Sequence, residues 1–489
     1  MLLILSGHSF RYECENLCRL FFPYSPVQVP DSPPEDLPAG PYALTEVRLT
    51  AEGWFCSVTA GDGERSLTGQ AYSPAPDEYT LTNLLYSLLS RLTGFTPPWG
   101  MLTGVHPVKL LRQHVGRLGF EEGGEDFRQK WHVSSGKTDL AKQVLSAQRQ
   151  AVEALSPRDF SLYVGIPFCP TRCAYCSFIS QDIANAGKLV APYLELLLGE
   201  IARTAQIAQG LGIRLCSVYI GGGTPTTLSA EQLARLCEQI TGLFDMSACT
   251  EFTVEAGRPD TITWEKLGAL KAAGVTRVSV NPQTMIAQVL RNIGRDHSPE
   301  AVEEAFALAH KAGFRDINAD LIVGLPGDSL GGFIYSLDKV LTLSPTNVTV
   351  HCLALKKGAS ITHEEDSLGL HKKTAETAAM VEHSIQRLGG LGFVPYYLYR
   401  QTRMAGNLEN TGWALPGSAC RYNIYTMDES GTVIACGAGG VTKLKDPCSD
   451  DLTRVFNFKY PHEYISRQAE ILERKDGMEV TLRGLLDRL

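Results

Sequence analysis

Cys169, Cys173 and Cys176 place three thiols within eight residues, in the run Cys-Pro-Thr-Arg-Cys-Ala-Tyr-Cys. In a chain with 13 Cys among 489 residues, chance gives this spacing a probability of roughly 0.01. A structural zinc site commonly takes four ligands as two cysteine pairs, and no matching second pair follows nearby. Three thiolates suit a 4Fe-4S cluster better, because one iron is then left without a protein ligand and is free to bind a substrate or cofactor. Zinc or three idle thiols are the alternatives. Further residues able to do chemistry sit near the ends of apolar runs: the stretch Gly221-Gly222-Gly223-Thr224-Pro225-Thr226, then Glu255, Gln283, Arg295 and Asp320. Glycines at such a point let backbone approach a ligand closely, although a tight turn uses them equally well. Cys216, Cys237, Cys249, Cys352, Cys420 and Cys436 lie in apolar contexts and read as core.

Positioning these residues requires strands with loops at a common end. Candidate strands are 161–166, 217–221, 251–256, 277–281, 317–323 and 347–353, six in all. Helical stretches lie between them, with start signals such as Ser229 with Gln232 and Ser298 before Pro299. Strands spaced by helices imply parallel βα units. Six of them suggest an α/β fold, an incomplete (β/α)6 barrel of the TIM kind, with its chemistry in the loops after the strands. The cysteines follow the first strand. Before this region, residues 1–125 read as a small α+β domain, with a helix near Thr80 to Leu92 and a first strand at the amino terminus. Residues 126–159 read as a linker region. A polar segment from Gly123 to Lys137 leads into an amphipathic helix, 139–155, with Leu140, Val144, Ala147, Ala151 and Leu155 on one face. The barrel occupies 160–391, and 392–489 forms an α+β cap with strands near 395–399, 422–427 and 433–436 and a helical tail from Pro461.

Composition narrows the function. Hydrophobic residues at 44% and charged residues at 20% are ordinary for a globular chain. The net charge of −8 supplies no chain-wide basic surface, so nucleic acid is not an expected partner. No apolar run reaches the roughly 18–20 residues of a membrane-spanning helix, and no signal-peptide pattern opens the chain. An odd number of cysteines without an export signal points to a reducing, cytoplasmic setting.

With Tyr175 before the last cysteine, the three-cysteine run resembles the signature of radical S-adenosylmethionine (SAM) enzymes. The resemblance implies a 4Fe-4S cluster on Cys169, Cys173 and Cys176, whose open iron chelates SAM. One electron then cleaves SAM to methionine and a 5′-deoxyadenosyl radical. It further implies that Glu255 and Arg295 hold the amino acid end of SAM, Gly223 and Thr224 its amine side, and Gln283 and Asp320 its ribose. Tyr163 would lie near the cluster, and Ile322 and Ala354 would border the adenine. Beyond the cluster and SAM, no catalytic residue is assigned.

Within that superfamily, Tyr163 to Cys169, Gly221 to Thr226 and Gly294-Arg295-Asp296-His297 resemble the oxygen-independent coproporphyrinogen III dehydrogenases. Pro98 to Gly104, Tyr399-Arg400-Gln401 and Gly406 to Asn410 are similar to the HemZ branch. The implied activity is oxidative decarboxylation of two propionates of coproporphyrinogen III to vinyls, giving protoporphyrinogen IX. It would need an external electron donor of the flavodoxin or ferredoxin type and an electron acceptor. A substrate with four propionates calls for cationic anchors, for which Arg400, Arg403, Arg421 and Lys443 are candidates; His297 could donate to a ligand or cap a turn.

Three departures bear on the substrate. Ser177 and Phe178 stand where the dehydrogenases carry a further cysteine two residues past the third ligand, which resembles the haem-chaperone relatives instead. Those relatives have a His-Asn pair followed by Tyr-Trp in the cap, whereas the nearest segment here, Asn410-Thr411-Gly412-Trp413, contains no His. Gly165 replaces a His that many relatives place in the first strand. The alternatives are a haem carrier and another tetrapyrrole-acting radical SAM enzyme, such as a haem-opening methyltransferase.

Overall fold

A computed structural model of the chain describes residues 1–23, 25–30, 39–176, 180–354, 367–401 and 405–489. The chain forms two compact units. Of the described residues, those within 1–142, 367–369 and 400–408 make up the first, and the others make up the second.

In the first unit, β1 (Leu2–Ser6), β2 (Tyr42–Thr50), β3 (Gly53–Gly61) and β4 (Ser66–Ser73) form a sheet in that order. The β1–β2 pair is parallel and the others antiparallel. Alternation along β2 and β3 turns Ala43, Val47, Cys56 and Val58 into a core shared with Leu81, Leu85 and Leu89 of the helix Glu78–Thr93. Asp77 starts that helix by accepting from Tyr79 N and Thr80 N. The polar segment expected to lead into the linker helix is itself helical, as Phe120–Trp131, and a second helix, Ser135–Glu153, follows. Tertiary packing explains the difference. A Cβ on Gly123 would come within 2.6 Å of Val115 Cα, so the glycine lets this helix lie directly against its predecessor Pro107–Leu118. Phe127 is buried on the same helix, and Asp126 Oδ2 lies 2.6 Å from His114 Nδ1.

In the second unit all six strands expected of the barrel form: β5 (Asp159–Ile166), β6 (Arg214–Gly222), β7 (Glu251–Gly257), β8 (Arg277–Val280), β9 (Asp316–Val323) and β10 (Asn347–Cys352). Neighbours in this series pair in parallel. The two start signals hold, with a reciprocal capping box at Ser229 and Gln232 and a cap at Ser298 before Pro299. Five further strands join them: β11 (Val394–Tyr399), β12 (Asn410–Ala414), β13 (Thr432–Cys436), β14 (Val441–Lys445) and β15 (Leu452–Phe456). The open sheet runs β11-β12-β10-β9-β8-β7-β6-β5-β13-β14-β15.

Two features of the cap differ from expectation. β13 pairs in parallel with β5, Ile434 against Leu162, and so extends the barrel series as a seventh parallel strand. Residues 422–427, expected as a strand, belong to the helix Arg421–Asp428. Its aromatic and β-branched residues favour a strand locally, but the helix buries Tyr422 and Tyr425 on one face. The Glu251 carboxylate accepts from Arg421 N and Tyr422 N at 2.9 and 3.2 Å, which stabilises the helix start.

Candidate functional site

β5 ends at Ile166, and the thiol loop begins two residues later. Phe168 and Cys169 pair in parallel with Gln181 and Asp182, and Gln181 N donates to Pro167 O at 2.9 Å, which pins the base of the loop. Cys176 N donates to Cys173 O at 3.1 Å inside it. From outside, Ala174 N donates to Ile293 O at 3.0 Å and Thr171 Oγ1 to Gly294 O at 3.5 Å. The glycine stretch after β6 seats against the same loop. Gly223 N donates to Ile166 O at 2.8 Å, Thr224 N to Phe168 O at 2.7 Å, and Thr224 Oγ1 to Cys169 Sγ at 3.6 Å. A Cβ on Gly223 would meet Phe168 O at 2.6 Å and Cys169 Sγ at 3.0 Å, so the seat accepts only glycine.

All three thiols are half-buried. Two buried guanidinium groups accompany them. Arg258 Nη1 lies 3.8 Å from Cys173 Sγ, and Arg295 Nη2 donates to Tyr175 Oη at 3.1 Å. Thiols with hydroxyl and N–H donors on their sulfurs and buried positive charge beside them fit an anionic iron–sulfur cluster.

Strand alternation brings a second set of side chains to the interior face of the sheet. Tyr163, Tyr219, Glu255, Asp320 and His351 keep accessible surface, while most of their strand neighbours are buried. Tyr219 Oη donates to Glu255 Oε1 at 2.6 Å, and Gly221 leaves room above that carboxyl, since a Cβ there would lie 3.0 Å from it. Desolvation pushes the Glu255 carboxyl up to about 7, and the charge of Asp320 adds to this. At Asp320 burial also disfavours the charge, but hydrogen bonding and attraction from His351, with Asn318 donating at 2.7 Å, bring the carboxyl below its ordinary value. Gln283 has a left-handed backbone, φ 68°, held by Gln283 N donating to Asp320 O and Ile322 N donating to Gln283 O, each at 2.9 Å. Such a conformation costs a non-glycine residue about 1–3 kcal/mol and concentrates at ligand sites. Its buried Oε1 has no hydrogen-bond partner among the described residues, nor has Arg295 Nε. These unsatisfied polar atoms, together with the carboxyls of Glu255 and Asp320, which are desolvated yet keep some accessible surface, fit a polar ligand such as SAM.

The other residues named from sequence fall in several places. Tyr163 stacks with Tyr219 and Tyr422, ring centroids 6.4 and 6.3 Å apart. Ile322 packs in an apolar cluster with Leu290, Ile293 and Leu353, against which Tyr175 lies. Ala354 is half-buried just after β10. His297 is buried, and burial followed by the charges of Arg295 and Arg258 pushes it down to about 4, so the ring is neutral near pH 7.

Of the candidate substrate anchors, Arg421 and Lys443 belong to the same unit as the thiols and do not gather beside them. Arg421 begins the helix capped by Glu251, at the start of β7, and Lys443 is in register with Val433 near the start of β13; both are at the strand ends away from the thiols. Arg400 belongs to the first unit, is 5% exposed, and donates to Leu102 O and Asn407 O at 2.6 and 2.9 Å. Arg403, Ser177 and Phe178 lie outside the described residues. Sequence reasoning missed Tyr219, His351 and the Arg258–Asp260 pair. The signal for the pair was an Arg-Pro-Asp run three residues beyond Glu255 at a strand end.

The signature of the radical SAM superfamily matches residues 163–340. The chain is 36% identical over 400 residues to the oxygen-independent coproporphyrinogen-III oxidase-like protein HemZ of Bacillus subtilis, covering 81% of this chain and 80% of that one. It is 30% identical over 316 residues to the heme chaperone HemW of Mycobacterium tuberculosis, covering 64% of this chain and 74% of the relative. Among solved structures, coproporphyrinogen III oxidase (HemN) of Escherichia coli, a radical SAM enzyme, superimposes with a TM-score of 0.51 at 23% identity, over 66% of this chain and 73% of the other.

Proposed function

Because the chain belongs to the radical SAM family of oxygen-independent coproporphyrinogen-III oxidase-like proteins, we propose that it oxidatively decarboxylates two propionates of coproporphyrinogen III to vinyls, giving protoporphyrinogen IX. The family's 4Fe-4S cluster and SAM, when bound, supply a carbon radical able to take hydrogen from an unactivated propionate carbon. The protein's share of the work is binding and orientation. Cys169, Cys173 and Cys176 hold the cluster. Glu255 accepts the ammonium of SAM and Arg295 pairs with its carboxylate, while Asp320 and Gln283 accept from the ribose hydroxyls. CO₂ leaves the substrate, and an external acceptor takes the remaining electron. Free thiols throughout the chain suit a reducing cytoplasm, where a flavodoxin or ferredoxin would deliver the first electron.

The observation that carries this reading is the thiol loop seated beside a row of inward polar groups, Glu255, Asp320 and His351, which keep accessible surface at the ends of parallel strands. A second reading, a haem carrier, is favoured by the likeness to HemW. Against it, the segment 410–413 that would carry the chaperone's His is a buried strand without one. Mass analysis of products from coproporphyrinogen III, with SAM and a reductant under anaerobic conditions, separates the two. A vinyl product with loss of CO₂ supports the decarboxylase, whereas stoichiometric haem uptake with no such product replaces it with the carrier.

A further inference from the structure

Arg258 lies three residues beyond Glu255, where β7 gives way to a turn. Arg258 N donates to Ala256 O at 2.6 Å, and Thr261 closes on Arg258 O through its N at 3.0 Å and its Oγ1 at 2.8 Å. The side chain is 3% exposed. Its Nε and Nη2 donate to the two carboxylate oxygens of Asp260 at 2.9 and 3.0 Å. A planar guanidinium held at two points on a carboxylate has little freedom left, so Asp260 sets the direction of the remaining nitrogen. That nitrogen, Nη1, donates to Thr171 Oγ1 at 3.1 Å and to Cys173 Sγ at 3.8 Å. Burial would raise the Asp260 carboxyl, but hydrogen bonds and attraction from Arg258 overcome it and hold the group below its ordinary value, so this carboxylate is ionised near neutral pH. Arg295, the other buried cation nearby, donates to Asn281 O at 2.7 Å and to Tyr175, and also acts on Cys173 by hydrogen bond and charge, but among the described residues no carboxylate stands behind it as Asp260 stands behind Arg258.

We infer that Arg258 is a positioning residue that donates an N–H···S hydrogen bond to the Cys173 thiolate and sets the reduction equilibrium of the cluster, with Asp260 limiting its effect. One-electron reduction adds negative charge to the cluster and its thiolates. A buried positive donor at one sulfur stabilises the reduced form, and a carboxylate close behind it opposes that stabilisation. Thr171, which shares the same nitrogen, fixes the loop so that the donor stays aimed at sulfur.

The inference rests on the cluster reading of the three cysteines, and its test keeps the two apart. Full-length protein is reconstituted anaerobically, its iron content measured, and its cluster titrated with redox dyes while the visible absorption is followed. R258M is expected to disfavour reduction by at least about tenfold, a 59 mV fall for one electron. R258K should fall between R258M and the unaltered protein. D260N removes the opposing charge and should raise the potential. A residue that merely held the loop would move R258M and D260N in the same direction, or change iron content alone. Equal midpoints, or shifts of one sign, overturn the inference. If R258M takes up no cluster, R258K against D260N carries the same test of sign. Unaltered protein that takes up no cluster overturns the reading of the cysteines, before any variant is compared.

Discussion

Glu251 and Glu255 lie four residues apart on β7 and point to the same side of the sheet, yet their surroundings are opposite. Glu251, 5% exposed, accepts from Arg421 N, from Tyr422 N and from Cys420 Sγ at 3.1 Å, with Arg277 Nε 3.8 Å away. Arg277 in turn donates to Asn347 and to Ser418 O. Glu255 receives a side-chain hydrogen bond from Tyr219, faces Asp320, keeps accessible surface, and has its carboxyl pushed up to about 7, chiefly by desolvation. Toward the start of β7 the carboxylate of Glu251 is satisfied by the fold's own donors; toward its end that of Glu255 is desolvated with few donors. A buried carboxylate with all its partners supplied is part of the scaffold. One that is desolvated but under-bonded retains bonding capacity that the fold does not use.

The largest effect that would sharpen this contrast lies in the thiol loop. Cys173→Ala is expected to reduce both iron content and SAM cleavage to background, measured by iron assay and by 5′-deoxyadenosine formation; unchanged activity would exclude the mechanism. Next come the two glutamates. Glu251→Ala leaves Arg277 with an unbalanced buried charge and removes a helix cap, and should cost about 3–5 kcal/mol in chemical denaturation. Glu255→Gln should leave stability unchanged or raise it, while weakening SAM binding to the reconstituted protein by about 1.5–3 kcal/mol, roughly ten- to a hundredfold. If both variants lost only stability, the two ends would not differ as described.

A smaller effect concerns pH. The Glu255 carboxyl is raised from 4.5 to about 7, so between those values the folded chain keeps a proton that the unfolded chain gives up. Its contribution to stability is full below 4.5 and is lost as pH rises through 7. SAM affinity should rise over the same interval as the carboxylate forms. Glu255→Gln should flatten both trends, and a slope in SAM affinity that survives in this variant would assign the titration to another group. The smallest effects belong to Arg421→Ala and Lys443→Ala, which lie at the strand starts. Product formation should change by no more than about twofold, as for substitutions remote from a site. A large loss in either variant would place substrate at that end.

The six barrel strands and the cysteine loop were legible because their signals are local: apolar runs, capping residues and three thiols in eight positions. Cys216, Cys237, Cys352, Cys420 and Cys436 are buried, as their apolar contexts imply, whereas Cys249, expected in the core with them, is half-buried in the turn before β7. The helix Arg421–Asp428 was misread as a strand because its preference is set elsewhere, by Glu251 at its first amides and by Tyr422 stacked on Tyr219 at 4.4 Å. The role of Gly223 was legible only in part. Its glycine marks a close approach, but the approaching group is the cysteine loop itself.

The sequence by itself determined which residues can bind a cluster and which segments become parallel strands, because spacing and periodicity are properties of the local chain. Only the tertiary structure decided which end of the strands each charged residue occupies. It paired Thr432–Cys436 with Asp159–Ile166 across some 270 positions, placed Arg421 and Lys443 away from the thiols, and brought Arg258 to Cys173. The physical reason is that strand pairing and desolvation depend on neighbours distant in the chain, so a glutamate becomes a fully bonded scaffold charge at one position of a strand and a desolvated, under-bonded carboxyl at another.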